Sequence, residues 1–125
     1  MILDTCAVLW LSFNREKLTK DILQLIDLSD NLIISTMSFW EIGIKINKKK
    51  LEIPMKLKKL ASLFVHSANV RIIVPDLDII LKTLELKWNH KDPVDRIIVA
   101  MATLYDDQII TSDKIIRNFY KKTII

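Results

Sequence analysis

The stretch from Asp92 to about Tyr105 places the strongest constraint on what this chain can fold into. Asp92 suits a helix N-cap, and Pro93 suits the first helical position, where a missing N–H costs little. Val94, Ile97, Ile98 and Met101 recur at i, i+3, i+4 and i+7, while Val99 and Ala100 make the other side apolar as well. A helix apolar nearly all round belongs in the middle of a domain. Asp95 stands in its first turn, where a carboxylate is expensive to bury unless something pairs with it. The rest of the chain must therefore cover this helix and give Asp95 something to meet.

The covering elements read as short apolar runs alternating with helical spacing. Ile2-Leu3 is a buried strand ended by Asp4-Thr5, and Cys6 to Phe13 is a short helix. Leu18, Ile22, Leu25 and Ile26 give a second helix, and Leu32-Ile33-Ile34 a buried strand closed by Ser35-Thr36. Ser38-Phe39-Trp40-Glu41 has the S-x-x-E form of a capping box at the start of a third helix. That helix ends in Lys45 and Lys48-Lys49-Lys50, as its dipole prefers. Leu57, Leu60, Ala61 and Phe64 mark a fourth helix after Pro54. Val70 to Val74, largely β-branched, predicts another buried strand, and Leu77, Ile80, Leu81 and Leu84 a fifth helix. After the Asp92 helix come the strand Gln108-Ile109-Ile110, a short helix opened by Thr111-Ser112-Asp113, and a last strand at Thr123-Ile124-Ile125. Strands alternating with helices make an α/β fold with a central, mainly parallel sheet and helices on both faces. In such sheets the sites lie outside the carboxyl ends of the strands.

Length and composition narrow the classes. At 125 residues, half of them hydrophobic, the chain fits one domain, 1–125, with a real core. A single glycine argues against a Gly-rich phosphate loop, and no repeat or low-complexity linker interrupts the chain. Cys6 is the only cysteine, which rules out an internal disulfide and C-x-x-C zinc patterns and suits a reducing cytoplasm. Met1 to Phe13 is apolar but carries Asp4 and lacks a basic start, which argues against a signal peptide. No apolar run approaches the ~20 residues of a membrane helix. The formal charge of +4 permits a polyanionic partner.

Four carboxylates then stand out, each with a structural alternative. Glu41 can complete a capping box with Ser38. Asp95 can favour the helix dipole, Asp92 is a cap, and Asp113 can cap the closing helix. Asp4 is the hardest to dismiss, because it ends a core strand with no helix terminus of its own to cap. Two like charges ~4 Å apart repel by about 4 kcal/mol at an effective dielectric of about 20. A fold that gathers several needs a cation there, or must protonate some of them. With oxygen ligands only, and no His or Cys nearby in sequence, hard-cation logic points to Mg²⁺ or Mn²⁺ rather than zinc. Mg²⁺ keeps waters and binds substrate phosphates, which suits phosphodiester hydrolysis.

Ile2-Leu3-Asp4-Thr5, Ser38-Phe39-Trp40-Glu41-Ile42, His90-Lys91-Asp92-Pro93-Val94-Asp95-Arg96 and Ile110-Thr111-Ser112-Asp113 resemble the successive signatures of PIN-domain ribonucleases. The nearest likeness is to the VapC-type toxins of bacterial toxin–antitoxin pairs, and it runs along essentially the whole chain. The resemblance implies a PIN-like three-layer fold and an Mg²⁺-dependent endoribonuclease. It implies that Asp4, Glu41, Asp95 and Asp113 form the acidic metal-binding, catalytic quartet. Thr111 or Ser112 matches a position that often supports the last acid, while Asp92 and Arg96 match the block without an assigned role. The partners it implies are an RNA substrate, a second copy of the chain in a homodimer, and a VapB-type antitoxin laid across the acidic site.

Two other readings stay open. A non-catalytic RNA- or partner-binding module can keep the same fold. A haloacid-dehalogenase-like phosphatase would use Asp4 as nucleophile, but that family wants a second Asp where this chain has Cys6. Among the remaining residues, Lys45, Lys48, Lys49, Lys50, Lys56, Lys58 and Lys59 can contact RNA phosphates or form a solvated helix end. Trp10, Trp40 and Trp88 can each stack a base, though apolar neighbours favour core or interface packing for the first two. Leu63, Phe64 and Val65 belong either to the core or to a face for an antitoxin. His66 and His90 lack zinc spacing, and Cys6, beside a core strand, reads as a small buried hydrophobe.

Overall fold

The computed structural model describes residues 1–125. Five strands, β1 (Ile2–Leu3), β2 (Leu32–Ser35), β3 (Val70–Ile73), β4 (Ile109–Ile110) and β5 (Thr123–Ile124), form one sheet in the order β3-β2-β1-β4-β5. Every pairing is parallel. Seven helices connect them: α1 (Thr5–Phe13), α2 (Lys20–Leu28), α3 (Thr36–Asn47), α4 (Leu57–Val65), α5 (Leu77–Glu85), α6 (Pro93–Tyr105) and α7 (Lys114–Phe119). A 3-10 turn at Arg15–Lys17, unmarked by any hydrophobic spacing, joins α1 to α2.

The two-residue alternation of the strands divides the core into two layers. Ile2, Ile33 and Ile109 face one side, where Ile79 of α5, Ile116 of α7 and almost the whole of α6 cover them. Leu3, Leu32, Ile34 and Ile110 face the other, against Ala7 and Val8 of α1, Ile22 and Ile26 of α2, and Ile42 of α3. The result is a three-layer α/β fold. Val94 and every residue from Ile97 to Ala102 are buried, as the all-round apolar character of α6 requires. Gly43 lets α3 approach α4, since a Cβ there would meet Leu57 at 3.1 Å.

Four local expectations are corrected. Ser35, not Ser38, caps α3: its hydroxyl accepts from the Met37 N–H, and Ser38 is buried a turn inside the helix beside Thr5. Glu41 is therefore no part of a capping box and lies on the second turn. Asp4 does have a helix to cap, because α1 starts at Thr5 and the carboxylate accepts from the Ala7 N–H at 2.8 Å. β3 is only partly buried, with Arg71 exposed, because it is an edge strand. Finally, Leu77, Ile80, Leu81 and Leu84 mark α5 correctly but face outward, and Ile79 is the residue that α5 buries.

Candidate active site at the carboxyl edge of the sheet

Strand order reverses between β1 and β4, so a crevice opens at their carboxyl ends. β1 delivers Asp4 there and β4 delivers Thr111, Ser112 and Asp113. α3, leaving β2, brings Glu41, and the head of α6 brings Asp92 and Asp95. Asp4, Glu41, Asp95 and Asp113 all line one cavity of about 170 Å³, with Asp92, Thr5, Cys6 and Lys45 completing its wall. Lys45 is its only cation, 4.0 Å from Glu41.

Asp4 is the most deeply set of the four, at 4 % exposure. One oxygen accepts from the Ala7 N–H and, at 3.0 Å, from the Cys6 thiol, while the other accepts from the Thr111 hydroxyl. Burial raises its carboxyl above the ordinary range and the nearby Asp113 charge adds to that, whereas the three hydrogen bonds oppose the shift. Thr111 also accepts the Asp113 N–H at 3.0 Å, so one buried hydroxyl ties two of the acids together. Asp113 caps α7 through the Ile115 N–H at 2.8 Å.

Asp95 is pushed up to about 6, first by burial and then by the charges of Asp92 and Asp113, against a hydrogen bond from His90. That bond joins His90 Nε2 to Asp95 Oδ2 at 2.7 Å. Asp92 spends one oxygen on the N–H groups of Val94 and Asp95, the capping role expected of it. His90 itself lies tilted against Trp88, centroids 4.8 Å apart, and Trp88 stacks on Phe119 at 4.7 Å.

The donor set is thus wider than oxygen alone. Cys6 and His90 each touch one of the acids, and donor atoms of His90, Asp92 and Asp95 lie within 4.8 Å of one another. Cys6 is half-buried rather than fully buried. Its thiol, pushed up to about 11 by burial and by the Asp4 charge, stays protonated and donates. Arg96, whose role the sequence left unassigned, aims its guanidinium away from the acids. It donates to the carbonyls of Trp88, His90, Thr83 and Leu86, and so pins the segment that carries His90 onto α6. Carbonyls at the end of α5 have no intrahelical partners, and only a planar fork can collect so many at once. Ser112 lies 3.6 Å from the Cys6 sulfur, on the cavity side of β4.

Four acids facing a small cavity with one ammonium, two of them raised by burial, make an acidic centre suited to a divalent cation, and the donor atoms near enough to share one ion are those of His90, Asp92 and Asp95. Because a thiol and an imidazole adjoin the oxygens, the chemistry of the set does not single out Mg²⁺. A larger cavity of about 640 Å³, between the end of α3 and residues 49–57, has Glu52 as its only acid.

A doubly wound parallel sheet with carboxylates gathered at its switch point defines a class: α/β proteins with an acidic centre suited to divalent cations. The PIN domain model matches residues 1–122, and the chain belongs to that family, whose members are generally nucleases. The fold is also similar to that of a chain from a toxin-antitoxin complex from Klebsiella pneumoniae, at 21% sequence identity and a TM-score of 0.67, over 99% of this chain and 95% of that one. Comparison with curated proteins gives no significant match. No helix is long and apolar enough to cross a membrane.

Proposed function

We propose that this protein is a VapC-type endoribonuclease, the toxin of a toxin–antitoxin pair, and that it hydrolyses RNA phosphodiester bonds with Mg²⁺ or Mn²⁺. The observation that carries this reading is the convergence of Asp4, Glu41, Asp95 and Asp113 on one cavity from four separate parts of the chain. These four residues would hold the ion, which when bound supplies a water of lowered pKa and positive charge at the scissile phosphate. The rest of the work falls to the chain. Thr111 and the Ala7 N–H fix both oxygens of Asp4, so that its orientation is set before substrate arrives. His90 holds Asp95 from the outside, and Arg96 holds the segment carrying His90. Lys45 stands at the mouth, where it can meet a phosphate as a point charge.

The partners follow from further features. The similar fold seen in a toxin-antitoxin complex supports an antitoxin, which we infer to be VapB-like and to cover the acidic cavity. An apolar stripe on α5 and exposed Leu63 and Val65 on α4 give a second copy and the antitoxin surfaces to bury. The one unpaired cysteine suits a cytoplasmic setting.

Purified protein should cleave RNA with Mg²⁺ or Mn²⁺ and stop with EDTA. Asp95→Asn should lower the cleavage rate by roughly 10²-fold or more, because it removes a charged ligand of the ion that stabilises the transition state, while leaving the circular dichroism spectrum unchanged. Mg²⁺ should also raise the melting temperature of the parent more than that of the variant. Retention of RNA without turnover under either ion would favour the binding-module reading instead.

A further inference from the structure

The cavity that holds the acids adjoins a second one. Along α3, beyond Glu41, a cleft of about 390 Å³ runs between Trp40, Ile44, Lys45, Lys48 and Lys50 on one side and Pro93 and Val94 at the head of α6 on the other. Glu41, Lys45 and Asp92 line both spaces, so the two share a wall. Trp40 is 53 % exposed, so of the two placements expected from its apolar neighbours, core or interface, the core is excluded. The reason is its place on the helix. Ile42 takes the inward position, and Trp40, Ile44 and Lys48 fall together on the face beside the cleft.

Trp40 differs from the other two tryptophans. Trp10 has the Lys17 ammonium over its ring, and Trp88 is sandwiched by Phe119, His90 and Arg96. No aromatic ring pairs with the Trp40 indole and no ammonium or guanidinium lies over its ring. Beside it, Lys48 and Lys50 have no acidic partner, whereas Lys45 has Glu41. A free aromatic face interleaved with free ammonium groups matches a chain that alternates flat bases with phosphates. The rest of the basic stretch is elsewhere: Lys49 and Lys56 line the separate 640 Å³ cavity, and Lys58 and Lys59 are exposed on α4.

We propose that the Trp40 cleft is a nucleotide subsite for single-stranded RNA, in which an unpaired base next to the scissile phosphate stacks on the indole and Lys48 and Lys50 hold the following phosphates. The inference rests on the ribonuclease reading for the position of the scissile bond, but the binding it describes stands apart from turnover. It makes the enzyme selective for looped or unpaired segments over continuous duplex.

Two measurements test it. Binding of fluorescein-labelled oligouridine and oligoadenosine in Ca²⁺, followed by anisotropy, should weaken about tenfold in Trp40→Ala and stay near the parent in Trp40→Phe, which keeps a stacking ring. Single-turnover cleavage of RNAs carrying one abasic site should show, for the parent, about a tenfold loss at one position flanking the cut. Trp40→Ala should already be slow on intact RNA and gain no further sensitivity there. Equal binding by parent and Trp40→Ala, with the abasic effect unchanged in the variant, would overturn the subsite and leave the nuclease reading intact. Trp40-dependent binding without cleavage of any RNA would do the reverse. A Trp40→Ala protein that binds RNA normally but changes its sedimentation would assign the indole to an interface between copies, which also overturns the proposal.

Discussion

α5 and α6 pack against each other and carry the same spacing of large aliphatic residues, i, i+3, i+4 and i+7. In α6 those positions, Val94, Ile97, Ile98 and Met101, are at most 6 % exposed. In α5 they are Leu77, Ile80, Leu81 and Leu84, between 41 and 76 % exposed. The difference comes from place in the layers. α6 lies directly over the middle of the sheet, above Ile2 and Ile109, and from Ile97 to Ala102 meets protein on every side, its last turn being exposed. α5 follows the edge strand β3, docks on α6 through Ile79 and turns its remaining apolar face outward. Hydrophobic periodicity says that a helix has a face, not what the face meets.

The strongest test of this contrast is a truncation at its buried end. Ile98→Ala in α6 should cost about 2–5 kcal/mol in denaturant unfolding, because it leaves a cavity in a region with no room to collapse. A loss under about 1 kcal/mol would mean that α6 is not the packed centre.

The head of α6 should respond to pH as its body does not. Burial holds the Asp95 carboxyl at about 6, well above the ordinary carboxylate range, so the folded state binds the proton more tightly. Its contribution is therefore fully present below about pH 4 and is lost as pH rises through about 6, some 3 kcal/mol by linkage. In the metal-free protein the parent's stability should fall across that window relative to Asp95→Asn, and Mg²⁺ should remove much of the difference at neutral pH. Parallel stability–pH curves for parent and variant would contradict the burial of that charge.

Arg96 links the two helices, and Arg96→Lys should cost about 1–3 kcal/mol, because an ammonium cannot meet the carbonyls of Thr83, Leu86, Trp88 and His90 together. The smallest effect is expected at the outward face. Leu84→Gln should change the stability of the monomer by no more than about 0.5 kcal/mol, while lowering the dimer fraction in sedimentation if this stripe is the surface shared by two copies. An Ile98-sized loss at Leu84 under dilute, monomeric conditions would erase the distinction between the helices.

Much of the fold was legible in the chain because it is written locally. Asp92-Pro93 announces a helix start through backbone chemistry that involves only its neighbours. The short apolar runs at Ile2-Leu3, Leu32–Ile34 and Ile109-Ile110 fall on strands for the same reason, and their alternation with helices leaves a parallel sheet as the economical topology. From that topology it follows that acids placed just after strands or at helix heads share one edge, and Asp4, Asp95 and Asp113 do share a cavity, which Glu41 joins from the second turn of α3. A local reading also misled where two caps competed: Ser35 and Ser38 are both plausible, and the end of β2 decided in favour of Ser35.

What the sequence by itself determined, then, is the set of elements and the rim of the sheet on which each acid falls, since turns, caps and side-chain periods depend on residues a few positions apart. Only the tertiary structure decided that Thr111 binds Asp4 from 107 positions away, that Ser112 stands against Cys6 from 106 away, and that Trp40 and the α5 stripe look outward. Those outcomes depend on which surfaces the packed layers leave uncovered. No stretch of chain carries that information alone, because burial is a property of the neighbours that folding brings.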